Sequence, residues 1–262
     1  MATKFTHRTA RVLPIEGGEQ LSLTLDIKKK RVSMSPVEVA ELSATFPGQA
    51  ILIPEVDARE NYDPIYRLAK RTIDVAFALF VLTMVAPFFA FIAVSIKLSS
   101  RGPVFYMQER TGKSGRRFMM YKFRTMRDGS EELKKALEKK SHLTFPDFKL
   151  RNDPRVTKIG RILRKLSLDE LPNFINVLRG EMSLVGPRPT SFRPEVYKDW
   201  QKLRLKATPG LTGLQQVSGR ANLQFDERVL FDIKYILYQS ITLDLYILAR
   251  TVFVVLTTKG SY

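Results

Sequence analysis

The sequence predicts an α/β chain, mostly helical with a small β element, in which a compact catalytic-sized domain is carried on a membrane segment. Three observations predict it. Val75 to Ile96 is an almost wholly apolar run. Short segments after it, Gly102 to Arg110 and Phe118 to Met126, read as a turn with a strand and then a second strand. The remainder alternates basic and apolar residues at helical spacing: Thr157 to Lys165, Glu170 to Leu178, and the aromatic-rich Phe231 to Leu256.

The apolar run covers 22 residues, roughly 33 Å as a straight helix and just enough to span a bilayer. Two features argue against a simple span. Pro87 sits in mid-run, where it removes a backbone hydrogen bond and kinks a helix. Basic residues flank both ends, Arg67, Lys70 and Arg71 before and Lys97 and Arg101 after, which places both ends on the cytoplasmic side. A re-entrant helix-break-helix over about residues 72–98, broken at Pro87, satisfies both. A straight transmembrane helix and a buried core helix are the alternatives. Phe231 to Leu256 is interrupted by Asp232, Lys234, Asp244 and Arg250, so it reads as amphipathic helices on the domain or at the membrane surface.

Residues 1–62 read as a separate N-terminal segment, a small β-rich extension or loose arm, with alternation at Leu21 to Ile27 and a second candidate strand at Gln49 to Pro54. Residues 63–262 form the main domain. Residues 130–140 read as a charged, solvated helix, and Pro209 to Gly213 as a tight loop.

The chain has 262 residues, 44% of them hydrophobic, so a packed core is expected and global disorder is not. It has no cysteine, which excludes disulfides, thiolate metal sites and cysteine nucleophiles. Its two histidines, His7 and His142, are far apart, so a resident metal would be a hard cation on oxygen ligands. The net charge is +17, and nearly all of it lies beyond residue 70. Nucleic acid, anionic lipid and nucleotide-sugar phosphates all fit that field.

The chemistry concentrates at Ser167-Leu168-Asp169-Glu170-Leu171-Pro172-Asn173. Two adjacent carboxylates stand beside an expected helix start, after Arg161, Arg164 and Lys165 and before Gly186-Pro187-Arg188-Pro189. With Ser167 or Asp169 as the N-cap, the pair falls at the positive end of a helix dipole. One carboxylate can attack phosphorus, the other can hold a divalent metal, and arginines can neutralise phosphate oxygens. The bland alternative for such a pair alone is helix capping.

The surrounding motifs favour chemistry. From about Ile65 to Tyr262 the chain resembles the small monotopic phosphoglycosyl transferases, bacterial sugar transferases that act on polyprenyl phosphate. The matching pieces stand in family order: the basic-flanked apolar segment with Pro87, Gly102-Pro-Val-Phe with Gln108-Glu109-Arg110, Tyr121 to Met126, Asp153 to Thr157, Ser167 to Pro172, Met182 to Pro189, Pro209 to Gly213, Gln216 to Arg220 and the closing Lys259 to Tyr262. Each is weak alone; the ordered set is specific.

The resemblance implies transfer of a phosphosugar from a nucleotide-diphosphate sugar, usually a UDP-sugar, to polyprenyl (undecaprenyl) phosphate, with UMP as coproduct. It implies Asp169 as the nucleophile that forms a covalent phosphosugar intermediate, and Glu170 as the second member of the dyad, with Glu170 and Asp169 as the metal candidates for Mg²⁺. Arg164, Arg188 and Arg220 match basic residues of the active site. Lys122, Arg124 and Arg155 are further candidates for phosphate or lipid headgroups; a solvated basic face is their alternative. The implied partners are the donor, the polyprenyl acceptor and the inner leaflet of the bacterial inner membrane, with the domain facing the cytoplasm; an oligomer is compatible with this and nucleic acid is not expected. The readings from other classes are a membrane-tethered basic scaffold and a nucleic-acid-binding protein supported by charge alone.

Overall fold

Inside the apolar run every residue but Pro87 is compatible with helical geometry. In the computed structural model, which describes residues 64–130, 133, 153–218 and 224–256, helix α1 spans Pro64–Ser99, 36 residues. That is roughly 54 Å at 1.5 Å per residue. The break expected at Pro87 does not divide this element, and helical backbone continues on both sides of it. Proline withholds only its own N–H, and flanking turns carry the helix past it. The expected strands at 21–27 and 49–54, most of the charged stretch at 130–140, and Arg220 lie outside the described residues.

One stripe of α1 faces the rest of the chain along most of its length. Asp74, Ala78, Ile92 and Ile96 are buried at helical spacing. Near the helix start the anchors are polar. Lys70 and Tyr66 donate to Asp244 at 2.8 and 3.1 Å. Arg71 donates to the carbonyls of Val177 and Leu178 at 2.6 and 2.7 Å, and Asp74 accepts from the Leu184 amide at 3.0 Å. Ala78 joins the main core with Met120, Val177 and Met182. Beyond Pro87 the contact is apolar: Ile92 and Ile96 pack with Phe123 and Leu163, and the Phe89 ring lies 5.0 Å from that of Phe123. The other side of α1 leaves Leu79, Phe80, Met84, Phe88, Phe91 and Leu98 exposed.

Both predicted strands form. β1 (Phe105–Thr111) and β2 (Arg117–Phe123) pair antiparallel, with Phe105 opposite Phe123 and Tyr106 opposite Lys122. The predicted basic helix also forms. α2 spans Lys158–Lys165, and the Thr157 hydroxyl caps it by accepting from the Gly160 amide at 2.9 Å.

The carboxylate pair is placed differently from expectation. Ser167 turns the chain with φ 57°, and Leu168–Glu170 form a separate 3₁₀ turn closed by Leu171 N–H to the Leu168 carbonyl at 3.2 Å. Helix α3 begins only at Asn173 and runs to Arg179. Pro172 accounts for the difference, because it has no N–H to carry the α-helical bond back to Leu168. The pair therefore sits one turn ahead of α3, not in its first turn.

β3 (Ser183–Val185) and β4 (Gly210–Thr212) pair parallel. The second was expected as a tight loop. It is a strand because Gly186 and Gly210 let the backbones meet: a Cβ on Gly210 would lie 2.1 Å from the Gly186 nitrogen. A 3₁₀ segment, Trp200–Lys206, precedes β4. Among the described residues three helices follow, α4 (Leu214–Ser218), α5 (Phe225–Tyr238) and α6 (Ile241–Leu256). As expected for amphipathic helices, α6 turns Ile247 into the core and leaves Leu245, Tyr246, Val252 and Phe253 exposed. Among the described residues the architecture is mostly helical, with two two-stranded sheets and one long apolar helix.

Candidate active site

The turn that carries Asp169 and Glu170 is held from three sides. Leu168 and Leu171 pack into the cluster of Ile92, Ile96, Phe123 and Leu163. Strand β2 ends alongside, and alternation aims Lys122 to the opposite face from buried Phe123. Lys122 Nζ donates to Glu170 Oε1 at 2.7 Å. The third side is the loop after β3. Gly186 packs directly against the backbone of 208–210 and of Gly213, so no side chain fits there, and the following Pro187 is buried. This fixes Arg188, whose Nη2 donates to the same Glu170 Oε1 at 2.8 Å.

Glu170 is thus neutralised by two cations on one oxygen, with its side chain 23% exposed. Burial alone would raise its pKa, but the charges and hydrogen bonds of Arg188 and Lys122 hold it well below the usual carboxylate range. Asp169 has the opposite balance. Among the described residues no hydrogen bond or salt bridge reaches its carboxylate, and burial together with the Glu170 charge raises its pKa, against the pull of Lys122, Arg164 and Arg188. Two neighbouring carboxylates therefore differ in kind, one locked and ionised, the other unpaired and open to react.

The expected basic residues divide the same way. Arg164, at the end of α2, donates Nε to Thr125 Oγ1 at 2.9 Å, and its charge acts on Asp169. Lys122 and Arg188 meet at Glu170. Arg124 and Arg155 bond elsewhere. Arg124 is buried and donates to the Ser100 carbonyl at 2.7 Å, just past the end of α1. Arg155 is buried in a two-point pair with Asp153 at 2.6 to 3.2 Å and also reaches the Ser130 carbonyl. Arg220 is outside the described residues.

Arg110 belongs here and was quoted in the sequence only as part of a motif. Burial and the Arg188 charge bring its pKa down to about 10, with Glu170 among the charges acting on it. Its Nη2 donates to Gln108 at 2.5 Å, while its buried Nε has no partner. Its place two residues past Gln108 on β1, on the Lys122 face, was the signal available. Arg204 was also missed. It supports the arginine loop from behind, donating to the Arg188 carbonyl at 2.7 Å and pairing with buried Asp232 at 2.7 Å.

A divalent cation has a limited donor set. Among the described residues no group of three His, Asp or Glu side chains comes together. Asp169 and the second oxygen of Glu170, which neither Lys122 nor Arg188 bonds, nevertheless suit a cation that keeps most of its ligands as water and phosphate oxygen.

A family model described as bacterial sugar transferase matches residues 65–258. The chain is 40% identical over 204 residues to Exopolysaccharide production protein ExoY of Sinorhizobium fredii, covering 76% of this chain and 90% of that protein. It is 42% identical over 201 residues to Undecaprenyl-phosphate galactose phosphotransferase of Salmonella typhimurium, covering 75% and 42%. It is 40% identical over 207 residues to UDP-glucose:undecaprenyl-phosphate glucose-1-phosphate transferase of Escherichia coli, covering 76% and 42%. The chain thus spans less than half the length of the last two.

Proposed function

The chain belongs to the bacterial sugar transferase family and is a phosphoglycosyl transferase; from that premise we propose that it passes a sugar phosphate from a UDP-sugar to undecaprenyl phosphate through a covalent intermediate on Asp169. The observation that carries this is the unpaired Asp169 carboxylate beside a Glu170 that two cations hold ionised.

In the first half-reaction an Asp169 oxygen attacks the donor phosphorus that bears the sugar. The bond from that phosphorus to the bridging oxygen breaks, and UMP leaves with the oxygen. In the second, a phosphate oxygen of the acceptor attacks the same phosphorus. The aspartyl bond breaks, the carboxylate is restored, and the product is a polyprenyl-diphosphate sugar. Arg188, 38% exposed, and Arg164 neutralise phosphate oxygens as charge shifts between them. Lys122 holds Glu170 in place and keeps the pair from carrying two uncompensated charges. Mg²⁺, when bound by Asp169, Glu170 and the donor phosphates, would stabilise charge on the departing UMP.

The contacts of α1 support a membrane placement for the domain. Residues both before and after Pro87 pack on one domain, through Ala78 and through Ile92 and Ile96. A helix crossing the bilayer upright would carry that domain into the hydrocarbon. An anchor that lies in the inner leaflet without crossing it, with the domain on the cytoplasmic face, agrees with the exposed apolar sides of α1 and α6. Single cysteines near the N-terminus and at Arg101 should both be protected from labelling outside intact cells; labelling at one alone means a spanning helix.

The test of function is detergent-solubilised protein with Mg²⁺ and a panel of UDP-sugars. Polyprenyl phosphate should trigger sustained UMP release with one of them. No release from any UDP-sugar would overturn the proposed reaction.

A further inference from the structure

Strand β1 opens with three consecutive large apolar side chains that face outward: Phe105, Tyr106 and Met107, at 43%, 38% and 55% exposure. In a strand, neighbours point to opposite faces, so a water-facing strand exposes apolar groups on at most one of them. Here each face carries an exposed large side chain, Tyr106 on one and Phe105 and Met107 on the other, and Met119 on β2 adds a fourth exposed group.

The position of this strip is fixed relative to α1. Arg124 clamps the joint: its side chain donates to the Ser100 carbonyl, its amide donates to the Val104 carbonyl at 2.8 Å, and its Nη1 occupies the space that a Cβ on Gly102 would need. Gly102 takes the φ of +115° that turns the chain there. The strip is also continuous with the membrane-facing helix. Phe105 stacks on Phe123 at 5.4 Å, and Phe123 meets Phe89 of α1 at 5.0 Å. Phe88 and Phe91, beside Phe89, are among the most exposed groups of α1. Exposed Lys97 and Arg101 precede the strip in the chain, and an exposed Glu109–Arg117 pair follows it.

We propose that Phe105-Tyr106-Met107 is a second membrane contact, lying in the lipid at headgroup level beside the C-terminal end of α1. This rests on the membrane placement proposed above. Two constraints set the depth. β1 belongs to a two-stranded sheet, and among the described residues its outer edge is paired only at its far end, where Thr111 bridges Thr190; an open edge is excluded from hydrocarbon but tolerated at the hydrated boundary. An aromatic with a polar tip, such as Tyr106, is suited to that same level. The consequence is functional. Tyr106 stands opposite Lys122, whose ammonium is on Glu170, so a strip at headgroup level sets the reacting carboxylates beside the phosphates of the bilayer.

The chain contains no cysteine, so single spin labels report one place each. Met107→Cys, Phe88→Cys and Lys113→Cys, each nitroxide-labelled in the full chain, would be reconstituted in phosphatidylethanolamine/phosphatidylglycerol nanodiscs. Collision with oxygen, which partitions into lipid, is compared with collision with a water-soluble nickel chelate. The expected oxygen-to-nickel ratio at 107 is severalfold above that at 113, in the turn between the strands, and below that at 88. A ratio at 107 equal to that at 113 overturns the proposal. So does protection at 107 from both probes, which means cover by protein, including a second copy of the chain. If 107 is aqueous while 88 is in lipid, only the strand contact fails; if both are aqueous, the membrane placement fails with it. Tyr106→Cys provides the same readout should Met107→Cys not fold.

Discussion

Gly160 lies so close to Thr125 that a Cβ on it would fall 2.0 Å from the Thr125 carbonyl oxygen. The contact locks α2 to the end of β2. It also places Arg164, one turn on, where its Nε reaches the Thr125 hydroxyl. Gly160→Ala is therefore expected to force α2 away from β2. Overpacking of this kind costs about 1–3 kcal/mol, which should appear as a lower thermal midpoint in detergent. Turnover should fall as well, because Arg164 moves relative to Asp169. An unchanged midpoint would show that α2 is not held by this contact.

Asp169→Asn is expected to abolish turnover and leave the thermal midpoint close to that of the parent, since among the described residues no hydrogen bond or salt bridge holds its carboxylate. Intact-mass measurement after UDP-sugar and Mg²⁺ alone should show a phosphosugar adduct on the parent chain and none on the variant. Parent protein that turns over fully yet never gains mass would count against the covalent step.

Much of this site was legible in the sequence because its motifs are local. Asp169 and Glu170 adjoin, Thr157 caps its own helix, and the strands on either side of Gly112–Arg116 pair by proximity. What was not legible depends on pairing across distance. Pro209 to Gly213 read as a loop, because nothing local tells that Gly210 will meet Gly186. Charge alone did not separate Lys122, which faces the carboxylates, from Arg124, which lies past the strand end and clamps the exit of α1. Arg155 has its partner two residues away at Asp153, a pairing that composition does not reveal. Pro172 stands beside the pair in the motif, and it delays the helix start to Asn173.

Glu170→Gln is expected to lose most activity and to shift what remains toward acid. Asp169 must be ionised to attack, and its pKa is raised by burial and by the Glu170 charge. Removing that charge lowers the Asp169 pKa, and Lys122 and Arg188, freed from their partner, lower it further. The acid limb of kcat/KM should therefore move to lower pH in the variant. A limb that stays in place, or moves up, would mean that Glu170 does not set the ionisation of Asp169.

The last expectation concerns the support behind Arg188. Asp232 is 1% exposed and lies 2.7 Å from Arg204, yet its Oδ2 has no aligned hydrogen bond. Burial raises its pKa to about 6, more than the Arg204 charge offsets. A carboxyl with a raised folded-state pKa binds its proton more tightly when folded than when unfolded. Stability from this group is thus complete below the ordinary carboxylate range, falls as pH rises from about 4 to about 6, and is flat above. Asp232→Asn fixes the neutral form. It should match the parent near pH 4, remove this part of the pH slope, and melt higher than the parent at pH 7. Arg204 keeps its bond to the Arg188 carbonyl throughout, so the arginine loop should hold its place and activity at pH 7 should persist. Thermal midpoints of both proteins between pH 4 and 7 decide the matter. A variant that melts lower than the parent at pH 7 would mean that the ion pair outweighs desolvation and that Asp232 stabilises the fold as a charge.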